Sequence, residues 1–420
     1  MKKLNVILTA FAFCMAPALT VSCEKDYSSI TNPTEKEKVI PSESLAPNYK
    51  WDKVADSVST AFIERFFCSE TRNGATHVFS YSDYNRRGGN FNCYWQQAHG
   101  MAVMVDYYQR IKDTRPEEAD VLKLYMSQWY DKRANNYEWN LNYRGSTGFG
   151  NDFTDDTCWI IISLIQMFEA TGEQKYFDAA KQTWDECVRP RFALTKYGWL
   201  PWKWSNMLIN ECTNGPGAIV AVTLAKYALE SGNQAEYEQY LKEAYSCYDA
   251  LLSMMKPVGT IGTTPLSYTQ GTGMEAARLI WHLTGDEGYI RKGILVARGQ
   301  MNAGMNEKYN GETVMRNEGE DDNNSIFHAV FYHWAARMAA DKAIDAIDPD
   351  IREELCNYIK RHAVIYWTKG IDKSLGGWAS SYFSTRVYRP RAVGTGGSLG
   401  AYASAAQAME SMNLISGETF

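Results

Sequence analysis

The chain has little of what metal sites, nucleic-acid surfaces and β-sheets need. Its nine cysteines are scattered through 420 residues without one C-x-x-C pair, so no zinc-site spacing is present. Its formal net charge is −6, with no block of like charge long enough to make a nucleic-acid surface. Glu318, Glu320, Asp321 and Asp322 cluster, but without the spacing of a calcium loop; they read as a solvated acidic loop. Strand-like alternation is scarce, which argues against a sheet-built core. Nothing in the sequence calls for a metal or a cofactor.

What is present begins with a targeting segment. Lys2 and Lys3 precede an apolar stretch, Leu4 to Ala18, and small residues lead to Cys23. Residues 1–22 read as a signal peptide. `LTVSC` resembles a bacterial lipobox, with Thr20 where Leu is usual and Cys23 as the lipidated residue; ordinary signal cleavage is the alternative. `CEKDYSS` resembles the export tails of Bacteroidota surface lipoproteins. Residues 23–50, polar and Pro-containing, read as a flexible tether. The expectation is an outer-membrane lipoprotein of the cell envelope, monomeric, touching the membrane through its anchor alone. Seven further cysteines, from Cys68 to Cys356, read as mostly buried thiols with one or two disulfides at most.

Residues 51–420 form one domain, 45% of the whole chain being hydrophobic and 13% aromatic. Helical periodicity recurs over 54–67, 94–111, 118–135, 174–188, 215–231, 236–255, 271–283, 287–302, 325–341, 350–367 and 397–412. Gly172, Gly232 and Gly285 close three of these helices at a spacing of roughly 53–60 residues, the period of one long-looped helical hairpin. About six such units fit, which predicts an all-α (α/α)6 barrel. An open superhelix of helix pairs would share the local pattern.

One stretch carries the chemistry. In `GFGNDFTDDTCWIIISLIQMFEATG` a Gly-rich turn leads into Asp152, Asp155 and Asp156, then an apolar helix. Neighbouring side chains sit about 5 Å apart, the separation a retaining glycosidase needs between nucleophile and acid/base. The helix N-terminus favours one ionised carboxylate, and an apolar wall such as Trp159 raises the pKa of the other. The plain alternative is an N-cap and a first-turn acid. The segments before the other inner helices are rich in Gly, Asn, Asp and aromatics, a composition suited to sugars. Candidate ligands there are Trp95, Gln97, His99, Trp202, Asn214, Tyr268 and Gln270, with Asp152 and Trp159 beside the pair; Glu211 is a reserve carboxylate.

Four segments resemble glycoside hydrolase family 76, the endo-α-1,6-mannanase family: `YWQQAH` (94–99), `NDFTDDTCW` (151–159), `NECTNG` (210–215) and `SYTQG` (267–271). The resemblance implies an (α/α)6 barrel acting on mannan or manno-oligosaccharides. It implies Asp155 as nucleophile and Asp156 as acid/base, with the reverse assignment open. Gln96 stands where the family has a second Trp, Thr157-Cys158 replaces Met-Ala, and His328 lies where Lys is common. A transglycosylase acting on mannose chains, or a glycan-binding lipoprotein without turnover, are the competing readings.

Overall fold

The computed structural model describes residues 49–70, 76–80, 94–136, 145–302, 304–309, 312–319, 324–372, 378–379 and 399–416. The signal peptide, the tether and Cys23 lie outside these residues, as do Cys93, Glu320, Asp321, Asp322 and most of the `RPRAVGTGGSLG` loop.

Twelve α-helices are found among the described residues: α1 Trp51–Phe66, α2 Trp95–Ile111, α3 Pro116–Asn136, α4 Thr154–Thr171, α5 Gln174–Thr183, α6 Glu211–Glu230, α7 Gln234–Ser253, α8 Ser267–Thr284, α9 Glu287–Asn302, α10 Phe327–Ala340, α11 Ile351–Ile365 and α12 Leu399–Ile415. The even-numbered helices form an inner ring in which each packs on the next, and α12 returns to pack on α2. That last contact closes the barrel and excludes the open superhelix. The first helix among the described residues is an outer one, so the sixth hairpin pairs elements far apart in sequence, α1 against α12.

Sequence patterning assigns the layers. Inner helices are apolar nearly all round: α10 is buried from Phe327 to Ala336, and α12 from Leu399 to Met412. Outer helices carry one stripe; α7 buries Tyr240, Ala244, Cys247, Tyr248 and Leu251. One continuous core results. Among the described residues no helix is long and apolar enough to cross a membrane.

Two kinds of connection alternate. Inner-to-outer turns are short, as at 172–173 and 285–286. Gly172 and Gly285 there adopt φ of 72° and 77° as C-caps, a left-handed conformation that a Cβ disfavours. Outer-to-inner connections are long and gather on the opposite face, where the inner helices begin. Among the described residues they carry four two-stranded antiparallel pairs: β1 Phe67–Cys68 with β2 Val78–Phe79, β3 Pro201–Lys203 with β4 Asn206–Ile209, β5 Asn306–Tyr309 with β6 Glu312–Met315, and β7 Ile371–Asp372 with β8 Trp378–Ala379.

The thiols follow expectation in part. Cys158, Cys187 and Cys247 are free and buried and Cys212 is free and partly exposed, while Cys68 is buried and Cys356 partly exposed.

Candidate active site

A cavity of about 410 Å³ opens on the face where the inner helices begin, within the range of small-ligand sites. The first turns of five inner helices and the β3–β4 hairpin reach it. Tyr94, Trp95 and Gln96 come from the start of α2, Phe153, Asp155, Asp156 and Trp159 from that of α4, and Asn210 and Cys212 from that of α6. Tyr268 comes from α8, Phe327 from α10, and Trp202 and Leu208 from the hairpin.

The start of the helix carrying the pair is held by a network of hydrogen bonds. Asn151 Oδ1 accepts the Phe153 N–H at 2.9 Å, and the buried Arg191 guanidinium donates to the carbonyls of Asp152 (2.8 Å) and Asn151 (2.5 Å) and to Thr154 Oγ1 (2.7 Å). Thr154 Oγ1 in turn donates to the Pro201 carbonyl, and Phe153 bridges to Lys203. This lattice lays β3 across α4 and brings Trp202 over Asp155. The N-cap is Phe153, with no side-chain cap. Neither aspartate is therefore the cap; both stand in the first turn and face the cavity.

The two carboxyls are not equivalent. Asp155 Oδ2 accepts the Trp202 indole N–H at 3.2 Å and the Cys212 S–H at 3.4 Å, and its Oδ1 accepts the Asp156 backbone N–H at 3.0 Å. Burial raises its pKa to about 6, against the pull of these donors. For Asp156 no side-chain hydrogen bond is found among the described residues. Burial raises it first, and the neighbouring charge of Asp155 raises it further, well above the carboxylate range. Asp155 is thus the first of the two to ionise, and Asp156 keeps its proton.

Much of the remaining wall is aromatic, and its rings close a circuit through His99 behind them. Trp95 touches His99 (5.0 Å between centroids), His99 touches Trp159 (4.8 Å), Trp159 faces Tyr268 (6.5 Å), Tyr268 stacks on Phe327 (4.3 Å, 23°), and Phe327 returns to Trp95 (6.1 Å). Such ring faces suit the C–H surfaces of a pyranose.

Of the residues expected at the site, the pair, Trp95, Trp159, Trp202 and Tyr268 line the cavity, and five others do not. His99 lies buried behind the wall between two tryptophans, held neutral by burial. The Asp152 side chain is buried outside the cavity, and its carbonyl serves Arg191. Gln97, Asn214 and Gln270 share one explanation. Gln97 Oε1 accepts the Phe79 N–H and its Nε2 donates to the Phe79 carbonyl; Asn214 does the same to Leu200, and Gln270 to Ile261. Each carboxamide near the start of an inner helix clamps both backbone groups of a residue in the preceding connection. On α4 the Thr157 hydroxyl plays this part toward Asn151. Expected as sugar ligands, these amides instead anchor the loops that shape the cavity.

Removing one clamp should therefore cost stability before it costs binding. Gln270→Leu leaves the N–H and C=O of fully buried Ile261 without their partner, a loss of about 2–4 kcal/mol. Chemical denaturation checks this, with KM measured well below the unfolding midpoint expected to stay near the wild-type value. A raised KM at unchanged stability would return Gln270 to the ligands.

Glu318 also departs from expectation. Its side chain is 2% exposed, not solvated. It accepts the Ser267 N–H at 2.7 Å and the Ser267 hydroxyl, capping α8, and lies 3.5 Å from His328 Nε2. Burial raises it to about 7. Phe153, Leu208, Asn210, Cys212 and Phe327 were not singled out from sequence; the aromatic pair Tyr268–Phe327 forms only when α8 and α10 are side by side.

The family model of glycosyl hydrolase family 76 matches residues 50–418. The chain belongs to this family. As a family 76 member it is a glycoside hydrolase, and its barrel has solved counterparts. An inactive variant of the α-1,6-mannanase GH76A of Salegentibacter sp. HEL1_6, with two consecutive aspartates replaced by alanine and in complex with α-1,6-mannotetrose, matches with a TM-score of 0.68 at 20% identity, over 87% of this chain and 100% of that one. A family 76 glycoside hydrolase (mannosidase) from Bacteroides thetaiotaomicron VPI-5482 matches with a TM-score of 0.65 at 16% identity, over 88% and 99%. These likenesses establish the (α/α)6 fold of the family 76 chain. No curated protein matches it in sequence.

Proposed function

We propose that this family 76 enzyme hydrolyses α-1,6-mannosidic bonds in mannan with retention of configuration, using Asp155 as nucleophile and Asp156 as acid/base. The observation that carries the reading is the unequal setting of the pair. Three donors favour the anion of Asp155, while Asp156, for which no side-chain hydrogen bond is found among the described residues, sits beside that anion and keeps its proton. Asp156 protonates the glycosidic oxygen as Asp155 attacks the anomeric carbon, giving a covalent mannosyl-enzyme and the freed chain end. Asp156, now a carboxylate, takes a proton from the water that attacks the same carbon and releases Asp155. The substrate is supported by the mannotetrose and mannotriose carried by the Salegentibacter α-1,6-mannanase variants.

The test is digestion of debranched α-1,6-mannan by the protein lacking residues 1–22. A ladder of short manno-oligosaccharides is the expected product. Intact mannan retained on the protein would favour glycan binding without turnover, and products longer than the substrate would favour transglycosylation. We also propose, on the lipobox-like `LTVSC`, that Cys23 carries the lipid that tethers the domain to the cell envelope; radiolabelled palmitate lost on Cys23→Ala checks it.

A further inference from the structure

Cys212, the second residue of α6, is a donor that the double displacement does not name. Its S–H donates to Asp155 Oδ2 at 3.4 Å. Burial is the main reason that the thiol lies well above its ordinary value, so it keeps its proton, and its role as donor, across the working range. The bond joins the first turns of the neighbouring inner helices α6 and α4.

We propose that Cys212 is a positioning residue that holds Asp155 as the carboxylate and fixes its orientation for attack. This rests on the reading of Asp155 as the nucleophile. The titratable and charged groups facing Asp155 are Asp156 and Cys158 on its own helix, Glu211 and Cys212 on α6, Tyr268 on α8, and Arg191 from the turn after α5. Of these side chains, among the described residues, Cys212 is the one that donates a hydrogen bond to the Asp155 carboxylate; Arg191 spends its bonds on backbone carbonyls and Thr154. A thiol has a specific merit here. As a weak donor it steadies the anion while leaving it basic enough to attack, where a hydroxyl would hold it more tightly.

The experiment compares wild type with Cys212→Ala and Cys212→Ser, by two readouts. One is the acid limb of kcat/KM, which reports the free enzyme. The other is the titration of the Asp155 carboxyl carbon, followed by NMR of protein labelled at aspartate and assigned with Asp155→Asn. The alanine variant should move both upward by on the order of half a pH unit. The serine variant should return them to the wild-type position or below it. Serine is close enough in size to fold where alanine does not. A purely structural cysteine would change stability without this order. Acid limbs and carboxyl titrations of the alanine and serine variants that both superimpose on wild type would overturn the positioning role of Cys212. An Asp155→Asn variant with full activity would instead overturn the nucleophile reading, whatever the carboxyl titrations show.

Discussion

Asp156→Ala is expected to lower turnover of α-1,6-mannan by about 10²–10⁴-fold, and to lose far less on an aryl α-mannoside whose phenol leaves unaided. The reason lies in the pair's asymmetry. Without Asp156 no proton reaches the glycosidic oxygen, but Asp155, with its three donors, still attacks. The mannosyl-enzyme then accumulates for want of a base, and added azide, which needs no base, should restore turnover and yield a β-addition-free, α-configured mannosyl azide. Asp155→Ala should lose both substrates alike, because no leaving group compensates for a missing nucleophile. Steady-state rates on the two substrates, with and without azide, check this. A reversed pattern, with Asp155→Ala rescued and Asp156→Ala not, would exchange the two roles.

The second large effect concerns stability. Both carboxyls are raised in the fold, Asp155 to about 6 and Asp156 further, mainly by burial. A carboxyl raised on folding favours the protonated native state. Its contribution is fully present below the unfolded pKa, near 4, and is lost as pH rises through the folded value. At pH 7 to 8 the pair is therefore a liability that the fold carries for its chemistry. Asp156→Asn should stabilise the protein there by on the order of 1–2 kcal/mol, and the gain should vanish near pH 4, where the wild-type carboxyl is already neutral. Thermal unfolding of both proteins across this range checks the sign. Activity should follow a bell, failing on the acid side near pH 6 as Asp155 takes up a proton, and on the basic side as Asp156 loses its own. Asp156→Asn less stable than wild type at pH 8 would contradict the assigned electrostatics.

The architecture was legible because its signals are local. Gly172, Gly232 and Gly285 adopt the positive φ that stops a helix, and their spacing announced a repeating hairpin. Ring closure was not local, since it depends on α12 meeting α2 across the whole chain. Helix starts were misread where packing overrode propensity. α6 begins at Glu211, not 215, and carries Gly215 and Pro216 within its helical span. Gly215 is there because a Cβ would stand 2.3 Å from Thr272 Oγ1, and inner helices approach that closely. The same error placed Asn214 and Gln270 in loops, where amides suggest ligands; in a first turn they face back onto the preceding connection. The Asp pair was read correctly as facing a pocket, because its acids precede an apolar run with a Gly-rich entry. What set the two acids apart, Trp202 and Cys212, comes from a hairpin and a helix 47 and 57 residues further on.

The central claim is double displacement through Asp155, and the anomeric form of the first product tests it most directly. Proton NMR during the first minutes of α-1,6-mannan hydrolysis should show the α-anomer of the new reducing end first, with the β-anomer appearing later by mutarotation. Initial release of the β-anomer would mean a single displacement by water, and would contradict the account.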